Sequence, residues 1–530
     1  MSSKNQQSYV GQQAVVIGAG VAGLATATLL AREGLRVTVV DKLDVVGGRA
    51  ANYLSPDAPG FRWDSGPSWY LMPEAFDHFY ELCGTSTEEQ LELRTLEPAY
   101  RVISEPTGDT PQAIDVSPAS IIDTFDSIEP GSGQKLQRYL EKSSLVYGVA
   151  IQKFLYTNFA RPHNLITRDV LPHVGLLAVL LSRSLQSYVR QVAKDYRLRQ
   201  ILSYPAVFLS TEPKKAPALY SLMSHTDLIQ GPRYPRGGFA AVVESFYRLA
   251  LDNDVTFQLG TEVTEILTYG KKRQRVRGVR TKSGEILNAD IVVSAADLKH
   301  TETQLLPPEL QTYPAKYFET RDPGLSSILI YAGVKGALPE LAHHTLMFSK
   351  DWDPDFRAVF GNDTALDKSW SQSIYISKTS ATDTDVAPEG HENLFVLIPA
   401  AARPDMGHGS AYGEEEDPRV AQIAYRAIEQ IGAWAGIENL SQRITTMKTV
   451  GPADFAQRYH AWDGGAIGPA HTLWQSAFFR GKNVSSKVDN LFYAGATTVP
   501  GVGVPLCLIS AENIIKRLRQ DHSSGPLPAL

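Results

Sequence analysis

The sequence predicts an α/β fold in which a nucleotide-binding domain is stitched together from three separated pieces, with a helical insertion and an α+β domain between them. Three features predict it. A glycine-punctuated strand–helix–strand unit opens the chain, apolar runs near residues 255–297 and 489–495 read as further strands of the same sheet, and the stretches between follow other periods. A length of 530 residues, well above the ~100–200 typical of one domain, leaves room for two or three domains.

Ala14-Val15-Val16-Ile17 is a β-branched run bounded by glycine, the pattern of a strand buried on both faces of a parallel sheet. A small-residue helix follows from Val21 to about Glu33, Gly34 ends it, and Val37-Thr38-Val39-Val40 is the second strand. The runs DVTFQLGTEVTEIL, RVRGVRT and EILNADIVVSAA, up to Asp297, read as strands that rejoin this sheet. Asp489 to Gly495 is another strand, and Pro505 to about Arg519 is a helix whose last turns carry Lys516, Arg517 and Arg519. Between these pieces, Gly133 to Tyr156 is the longest amphipathic helical segment, SSILIYAGV and NLFVLIPA are strands, and Arg419 to Trp434 is a helix with Val420, Ile423, Ala427, Ile428 and Ile431 on one face. The resulting division is 1–104, 231–305 and 476–530 for the nucleotide domain, 105–230 for the helical insertion and 306–475 for the α+β domain.

Composition excludes several functions. Lys plus Arg is 51 against 57 for Asp plus Glu, a net charge of −6, so nothing draws the chain to a phosphate backbone and no nucleic acid is expected. Cys83 and Cys507 are far apart, which excludes a disulfide framework, a CxxC pair and a cysteine zinc cluster, and no metal is expected. The polar start, Met1 to Gln13, does not read as a secretory signal, so a cytoplasmic setting is expected. The longest apolar segment, Val170 to Leu181, is interrupted by Pro172 and His173 and falls short of the ~20 residues that span a bilayer.

Gly18-Ala19-Gly20-Val21-Ala22-Gly23 matches GxGxxG between strand and helix. Gly18 permits the tight turn, Gly20 lets backbone approach a pyrophosphate at the helix N-terminus, and Gly23 lets helix and strand pack closely. Asp41, eighteen residues after Gly23 at the end of the second strand, is placed to accept from ribose hydroxyls. Beyond it, Gly47, Gly48 and Arg49 add a glycine pair and a cation that can reach phosphates or the far half of a cofactor, and Gly66 in DSGP is another close-approach glycine. Together these motifs resemble the flavoprotein amine oxidase superfamily, which implies a Rossmann-like FAD-binding domain and FAD as cofactor. The resemblance nominates Val263, in GTEV, for backbone contact with the adenine.

Near the C-terminus, NLFYAGATTVPGVGVP runs from a strand through a glycine- and proline-rich loop into a helix, so that Gly495, Gly503, Val504 and Pro505 bring backbone and a positive helix end toward a flat ring that is anionic when reduced. The run is similar to the signature of bacterial carotenoid desaturases of the phytoene desaturase type. Tyr234-Pro235-Arg236-Gly237-Gly238, LAHHT at 341–345, TD at 382–383 with APEG at 387–390, PADF at 452–455 and QSAFFR at 475–480 extend the resemblance over nearly the whole chain. Two departures stand out: Ala496 replaces an acidic residue found in many flavoproteins, a change the desaturases share, and Pro172 replaces a basic residue common in that family.

The resemblance implies FAD-dependent desaturation of phytoene, a C40 carotene, toward neurosporene or lycopene. The 306–475 region becomes the substrate domain, and oxygen or a quinone becomes the electron acceptor. Asp383 is nominated as proton acceptor, with a pKa raised beside an apolar channel, and Asp169 is a second candidate. A bilayer-resident hydrocarbon also implies peripheral attachment to the inner face of the membrane through Val170 to Leu181, with Arg183 and Arg190 meeting headgroups. The alternatives are a related carotenoid oxidoreductase, such as a C30 desaturase, isomerase or ketolase, and a flavin amine oxidase.

The remaining features have plainer readings. Lys271 to Lys282 holds seven basic residues in a predicted hairpin, a solvated turn. His343 and His344 would face opposite sides of a strand. Cys83 is a core residue, Cys507 has no base near it in sequence, and 414–417 is an acidic loop.

Overall fold

The computed structural model describes residues 9–108, 112–160, 171–361, 365 and 369–529. Strand β1 (Gln13–Ile17) is the centre of a five-stranded, wholly parallel sheet ordered Leu491–Tyr493, Ile291–Ser294, β1, β2 (Arg36–Val40), Thr256–Gln258. Each of the three expected pieces of chain supplies at least one strand. Val15 lies opposite Val292 on one side and Thr38 on the other.

The strands are apolar throughout because both faces are covered. Ala14, Val16, Ile291 and Val293 pack against α1 (Val21–Arg32) and the helices Phe239–Asp252 and Val504–Leu518. The alternate residues Val15, Ile17 and Val292 pack on the opposite face against Val263, Ile266, Val276 and Val279. Helix α1 is buried along most of its length, and its two internal threonines satisfy their hydroxyls on carbonyls one turn back, Thr26 on Ala22 at 2.6 Å and Thr28 on Leu24 at 2.9 Å.

One expectation about the sheet is corrected. Thr256–Gln258 and Ile291–Ser294 join it, but Val263–Tyr269, Gln274–Thr281 and Ile286–Asn288 form a separate antiparallel sheet, with Val488–Asp489 running parallel to its middle strand. The reason is burial: these strands bury one face and expose the other, and a strand inside a doubly covered parallel sheet cannot do that. The basic run Lys271–Lys282 sits on the exposed side, where Arg273 pairs with Asp489 at 2.7 Å, Arg280 with Glu265 at 2.9 Å and Lys282 with Glu262 at 2.9 Å.

The α+β domain is built on a seven-stranded sheet ordered Ile444–Val450, Leu325–Lys335, His391–Ala401, Ile374–Ser377, His344–Phe348, Tyr100–Ser104, Gln112–Val116. Its last two strands come from segments that the sequence division gave to the nucleotide domain and the helical insertion. His344–Phe348 accepts Tyr100–Ser104 as a parallel neighbour, which a local reading of periodicity cannot foresee. Along Leu325–Lys335 the side chains alternate, with Ile328, Ile330, Ala332 and Val334 facing the helix Pro418–Ala435 and Leu329 and Tyr331 facing the helical insertion.

The insertion contains Ile121–Ile128, Ser132–Lys153, Val174–Ser182, Leu185–Val189 and Tyr196–Ser203. Among the described residues no helix is long and apolar enough to cross a membrane. Of the apolar segment nominated for lipid contact, Leu180 is buried and Leu176 and Leu177 pack against the core, while Val174, Val179 and Leu181 are 48%, 44% and 41% exposed.

The closest approach of helix to sheet is at Gly23, where a Cβ would lie 1.8 Å from the Gly18 carbonyl oxygen. Gly23→Ala is therefore expected to push α1 off the sheet and lower stability by about 1–3 kcal/mol, read as a reduced urea midpoint of unfolding.

Candidate functional site

One continuous cavity of about 810 Å3 begins at the carboxyl ends of the parallel strands and continues between the seven-stranded sheet and the helical insertion. Gly18, Gly20, Asp41, Gly47, Gly48, Arg49, Gly66, Val263, Gly495, Gly503, Val504 and Pro505 all line it. Gly23 does not; it is packed behind the turn.

The turn after β1 is shaped by glycine. Gly18 has φ +104°, in the region that favours glycine, and Gly20 caps α1 with no side-chain hydrogen bond, which leaves the first N–H groups of the helix open to the cavity. A Cβ on Gly20 would meet no protein atom closer than 4.0 Å, so the space in front of it is not used by the fold. Gly47 donates its N–H to the Ala19 carbonyl at 2.8 Å, and this bond lays the Gly47–Gly48 segment beside the turn. Arg49 donates from Nη1 to the carbonyls of Ala466 at 2.9 Å and Ile467 at 3.2 Å, tying the strap to the α+β domain. Gly66 has no room for a side chain, since a Cβ would fall 2.5 Å from the Arg49 carbonyl oxygen.

Asp41 receives the Ala19 N–H on Oδ2 at 2.6 Å and the Leu43 N–H on Oδ1 at 2.8 Å, and each oxygen keeps a lone pair for a ligand hydroxyl. Burial draws its pKa up, against those two N–H groups and the positive charges of Lys42 and Arg458. Val263 is buried at the start of its strand. On the opposite wall the helix Val504–Leu518 points its N-terminus at the cavity, capped by Gly503 at φ +110° with no side-chain hydrogen bond and with Pro505 in its first turn. Two open helix ends, an aligned carboxylate and a glycine-lined trench fit a dinucleotide with a flat ring.

Beyond this cradle the walls become apolar. Val146, Val149, Ala150, Leu329 and Leu397 line the chamber with Leu177, Leu181, Phe208 and Leu219. The carboxylates among the described lining residues are Asp41, Glu262 and Asp297, all in segments that follow strands of the five-stranded sheet. None faces the apolar chamber.

Asp383 is not where the sequence reading placed it. It lies outside the cavity lining, 2% exposed, and its carboxylate accepts from Gly237 N–H at 2.9 Å, Tyr234 Oη at 3.0 Å and Asp385 N–H at 3.1 Å, with Arg62 at 3.8 Å. Burial alone would raise its pKa, but the two N–H groups, the tyrosine hydroxyl and Arg62 outweigh it and hold the carboxyl below its usual range. This is opposite to the raised value expected of a proton acceptor, and it makes Asp383 a tie between segments. Asp169 and Val170 lie outside the described residues.

The histidines are packed, as expected, but strand alternation does not separate them. His343 precedes its strand, so the strict alternation of a strand does not apply, and the two rings meet edge to face at 4.5 Å. His343 shares a hydrogen bond with Thr382 at 2.7 Å and His344 with the Tyr375 hydroxyl at 2.8 Å. No cluster of metal ligands occurs among the described residues. Burial pushes the Cys507 thiol up to about 11, which leaves it protonated.

Sequence reasoning missed the mouth of the chamber. Leu473, Phe478 and Phe479 line the cavity and are also 42%, 40% and 47% exposed, next to Trp474 at 68%. Phe478 packs on Phe159 with centroids 4.8 Å apart, and Trp474 on Phe479 at 5.1 Å. The available signal was four large apolar residues within seven positions of a loop rich in glycine and proline.

Comparison with known proteins adds the following. The family described as flavin containing amine oxidoreductase matches residues 21–514. The carotenoid 3,4-desaturase of Haloarcula japonica is 36% identical over 513 residues, covering 96% of this chain and 99% of that protein. The zeta-carotene-forming phytoene desaturase of Myxococcus xanthus is 32% identical over 522 residues, covering 98% of this chain and 96% of that protein. Among solved structures, a putrescine oxidase bound to putrescine superposes with a TM-score of 0.59 at 14% identity, covering 97% of this chain and 99% of that one, which is a likeness of fold.

The open space at Gly20 and the crowding at Gly23 separate two kinds of glycine. Gly20→Ala is expected to leave the unfolding free energy of the ligand-free protein within about 0.5 kcal/mol while weakening flavin binding at least tenfold, measured by fluorescence titration of the apoprotein. Wild-type affinity in Gly20→Ala would show that no pyrophosphate lies against the turn.

Proposed function

The chain belongs to the flavin-containing amine oxidoreductase family and, within it, to the carotenoid desaturases; from that premise we propose that it uses its FAD to desaturate phytoene toward more conjugated carotenes such as neurosporene or lycopene. The observation that carries this reading is the continuity of the cavity. One space joins the glycine-lined cradle to an apolar chamber with no carboxylate on its described walls, a poor home for an ammonium group and a suitable one for a polyene. That contrast disfavours the amine oxidase alternative.

In this reading the open N–H groups after Gly20 and the Gly47–Gly48 strap hold the pyrophosphate, Asp41 takes the ribose hydroxyls and Val263 meets the adenine. Gly495, Gly503, Val504 and Pro505 seat the ring. FAD supplies the capacity to accept two electrons from a carbon–hydrogen bond, so the chain's own task is to hold the polyene against the ring and to keep water out. Tyr147, Tyr220 and Tyr375 are among the hydroxyl-bearing groups of the wall, and burial raises the pKa of each. All three therefore stay neutral and protonated. Electrons then pass to oxygen or a membrane quinone, since one GxGxxG motif serves one dinucleotide.

Two separate elements that line the chamber also carry exposed apolar side chains: the helix Val174–Ser182, which lines it with Leu177 and Leu181 and exposes Val174, Val179 and Leu181, and the turns at 473–479, which line it with Leu473, Phe478 and Phe479 and expose these three and Trp474. A hydrocarbon that resides in a bilayer needs such a mouth at the lipid surface, and the proposal places this face on the inner leaflet.

Expression in cells that make phytoene but lack a desaturase tests the reaction: a coloured carotene with a longer conjugated chain is the expected product. Unchanged phytoene, together with conversion of an already conjugated carotenoid at its 3,4 position, would assign the chain the activity of its Haloarcula relative instead. For the membrane face, Val179→Asp with Trp474→Asp should abolish flotation with anionic liposomes while bound flavin and cooperative unfolding are unchanged. Both side chains are exposed, so retained flotation would move the lipid contact elsewhere.

A further inference from the structure

Arg480 is a buried cation that lies behind the cavity wall rather than in it. It is 4% exposed, and its guanidinium donates to four backbone carbonyls: from Nε to Thr498 at 3.0 Å, from Nη1 to Pro469 and Gln475 at 3.3 Å each, and from Nη2 to Ala496 at 2.6 Å. No carboxylate pairs with it among the described residues. Its titratable neighbours are Tyr220, Tyr317, Cys507 and His471, whose buried imidazole is held well below its usual pKa, and all of them are neutral at ordinary pH. Burial pushes its pKa down only to about 10, so it remains a full positive charge near neutrality. A buried charge without a counterion is expensive, and carbonyl dipoles offset only part of that cost.

The position of this charge suggests its counterpart. Two of its four acceptors, Ala496 and Thr498, flank Thr497 in the loop that follows Leu491–Tyr493, and Ala496 and Thr497 line the cavity where the cradle meets the apolar chamber. Because a trans peptide points its C=O and N–H in opposite directions, fixing the Ala496 carbonyl on Arg480 turns the Thr497 N–H away from the guanidinium. That N–H has no protein acceptor among the described residues. The helix Val504–Leu518 starts in the same wall, so a full charge, a free donor and a helix N-terminus all stand behind one stretch of cavity surface.

We propose that Arg480 is a positioning residue that sets the electron affinity of the bound flavin, by supplying the buried positive charge opposite the negative charge the ring acquires when it takes up two electrons and one proton. The inference rests on flavin occupying this cavity, as in the function proposed above, but not on the identity of the carotene. Arg480 acts through the wall: it touches neither chamber nor substrate, and its effect is carried by the 496–498 backbone and by its field in a medium of low polarity.

The test is a set of charge-keeping and charge-removing variants of the flavin-loaded protein. R480K keeps the charge without the four-way fork, and R480M removes both. The midpoint potential is measured by reductive titration against a reference dye, and the affinity for sulfite, an anion that adds to the oxidised ring to give an anionic adduct, is measured on the same samples. The expected result is that R480M shifts the oxidised-to-reduced equilibrium at least tenfold toward the oxidised form, about 30 mV for a two-electron couple, and weakens sulfite binding at least tenfold, while R480K stays within threefold of wild type in both. If R480M does not retain flavin, R480Q, neutral but still a donor, is held to the same expectation.

Wild-type potential and sulfite affinity in a neutral variant would overturn the proposal. So would equal loss of flavin and thermal stability in R480K and the neutral variants, which is the signature of a residue that only staples the loop. Neither measurement uses a carotene, so a protein that passes this test and leaves phytoene unchanged would count against the desaturase reading alone.

Discussion

The contact between Gly23 of the first helix and the carbonyl of Gly18 is the constraint on which the rest depends. A strand buried on both faces must be followed at once by a helix that packs back onto it, and the turn between them has room for backbone only. Because the helix lies so close, its first N–H groups emerge beside the ends of the neighbouring strands. Asp41 at the end of β2, Ala295 to Asp297 after Ile291–Ser294 and Gly495 after Leu491–Tyr493 then open onto one trench. The cradle follows from the parallel sheet, since strands running the same way deliver their following loops to the same edge.

The second half of the cavity obeys a different rule. It is formed where the aromatic and aliphatic face of the seven-stranded sheet meets the helical insertion, and its walls carry side chains that share a core with both. Leu329 and Leu397 belong to the sheet, Leu177 and Leu219 to the insertion, and all four also pack in the same apolar cluster. Polar groups in this region are tied to one another, as with Tyr375, which bonds both Ser68 at 2.5 Å and His344 at 2.8 Å. A chamber whose walls are mostly aliphatic and aromatic, and whose tyrosine hydroxyls are partnered in this way, has little to offer water and much to offer a hydrocarbon.

How far the sequence could be read follows from the range of the interactions. AVVI, VTVV and IVVS were legible as buried parallel strands because burial on both faces leaves a continuous apolar run, and the glycine spacing marked the turn because the left-handed φ of Gly18 and the close packing at Gly23 both favour glycine. The hairpin Val263–Thr281 was assigned to the wrong sheet. Its alternation was visible, but pairing partners are set by tertiary contacts that the alternation does not encode. Tyr100–Ser104 was missed for the same reason, since its parallel neighbour is more than two hundred residues away. Asp383 was assigned a raised pKa on the assumption of an apolar setting, whereas the Gly237 N–H and the Tyr234 hydroxyl, neither predictable from the TDTD run, stabilise its charge. Arg480 was only a letter in a family-like segment until the fold enclosed it with four carbonyls.

The order in which the five-stranded sheet is assembled has a consequence for synthesis. Its strands come from residues 13–17, 36–40, 256–258, 291–294 and 491–493, so one edge is closed by a strand made long after the other four. While the ribosome is adding the preceding two hundred residues, Ile291–Ser294 presents an unpaired apolar edge, and the wall that carries the Gly495 loop and the final helix has not been made. A nascent chain in that state offers a template for strand pairing with its neighbours. Covering that edge therefore waits on Leu491–Tyr493, whose following loop also lines the cavity.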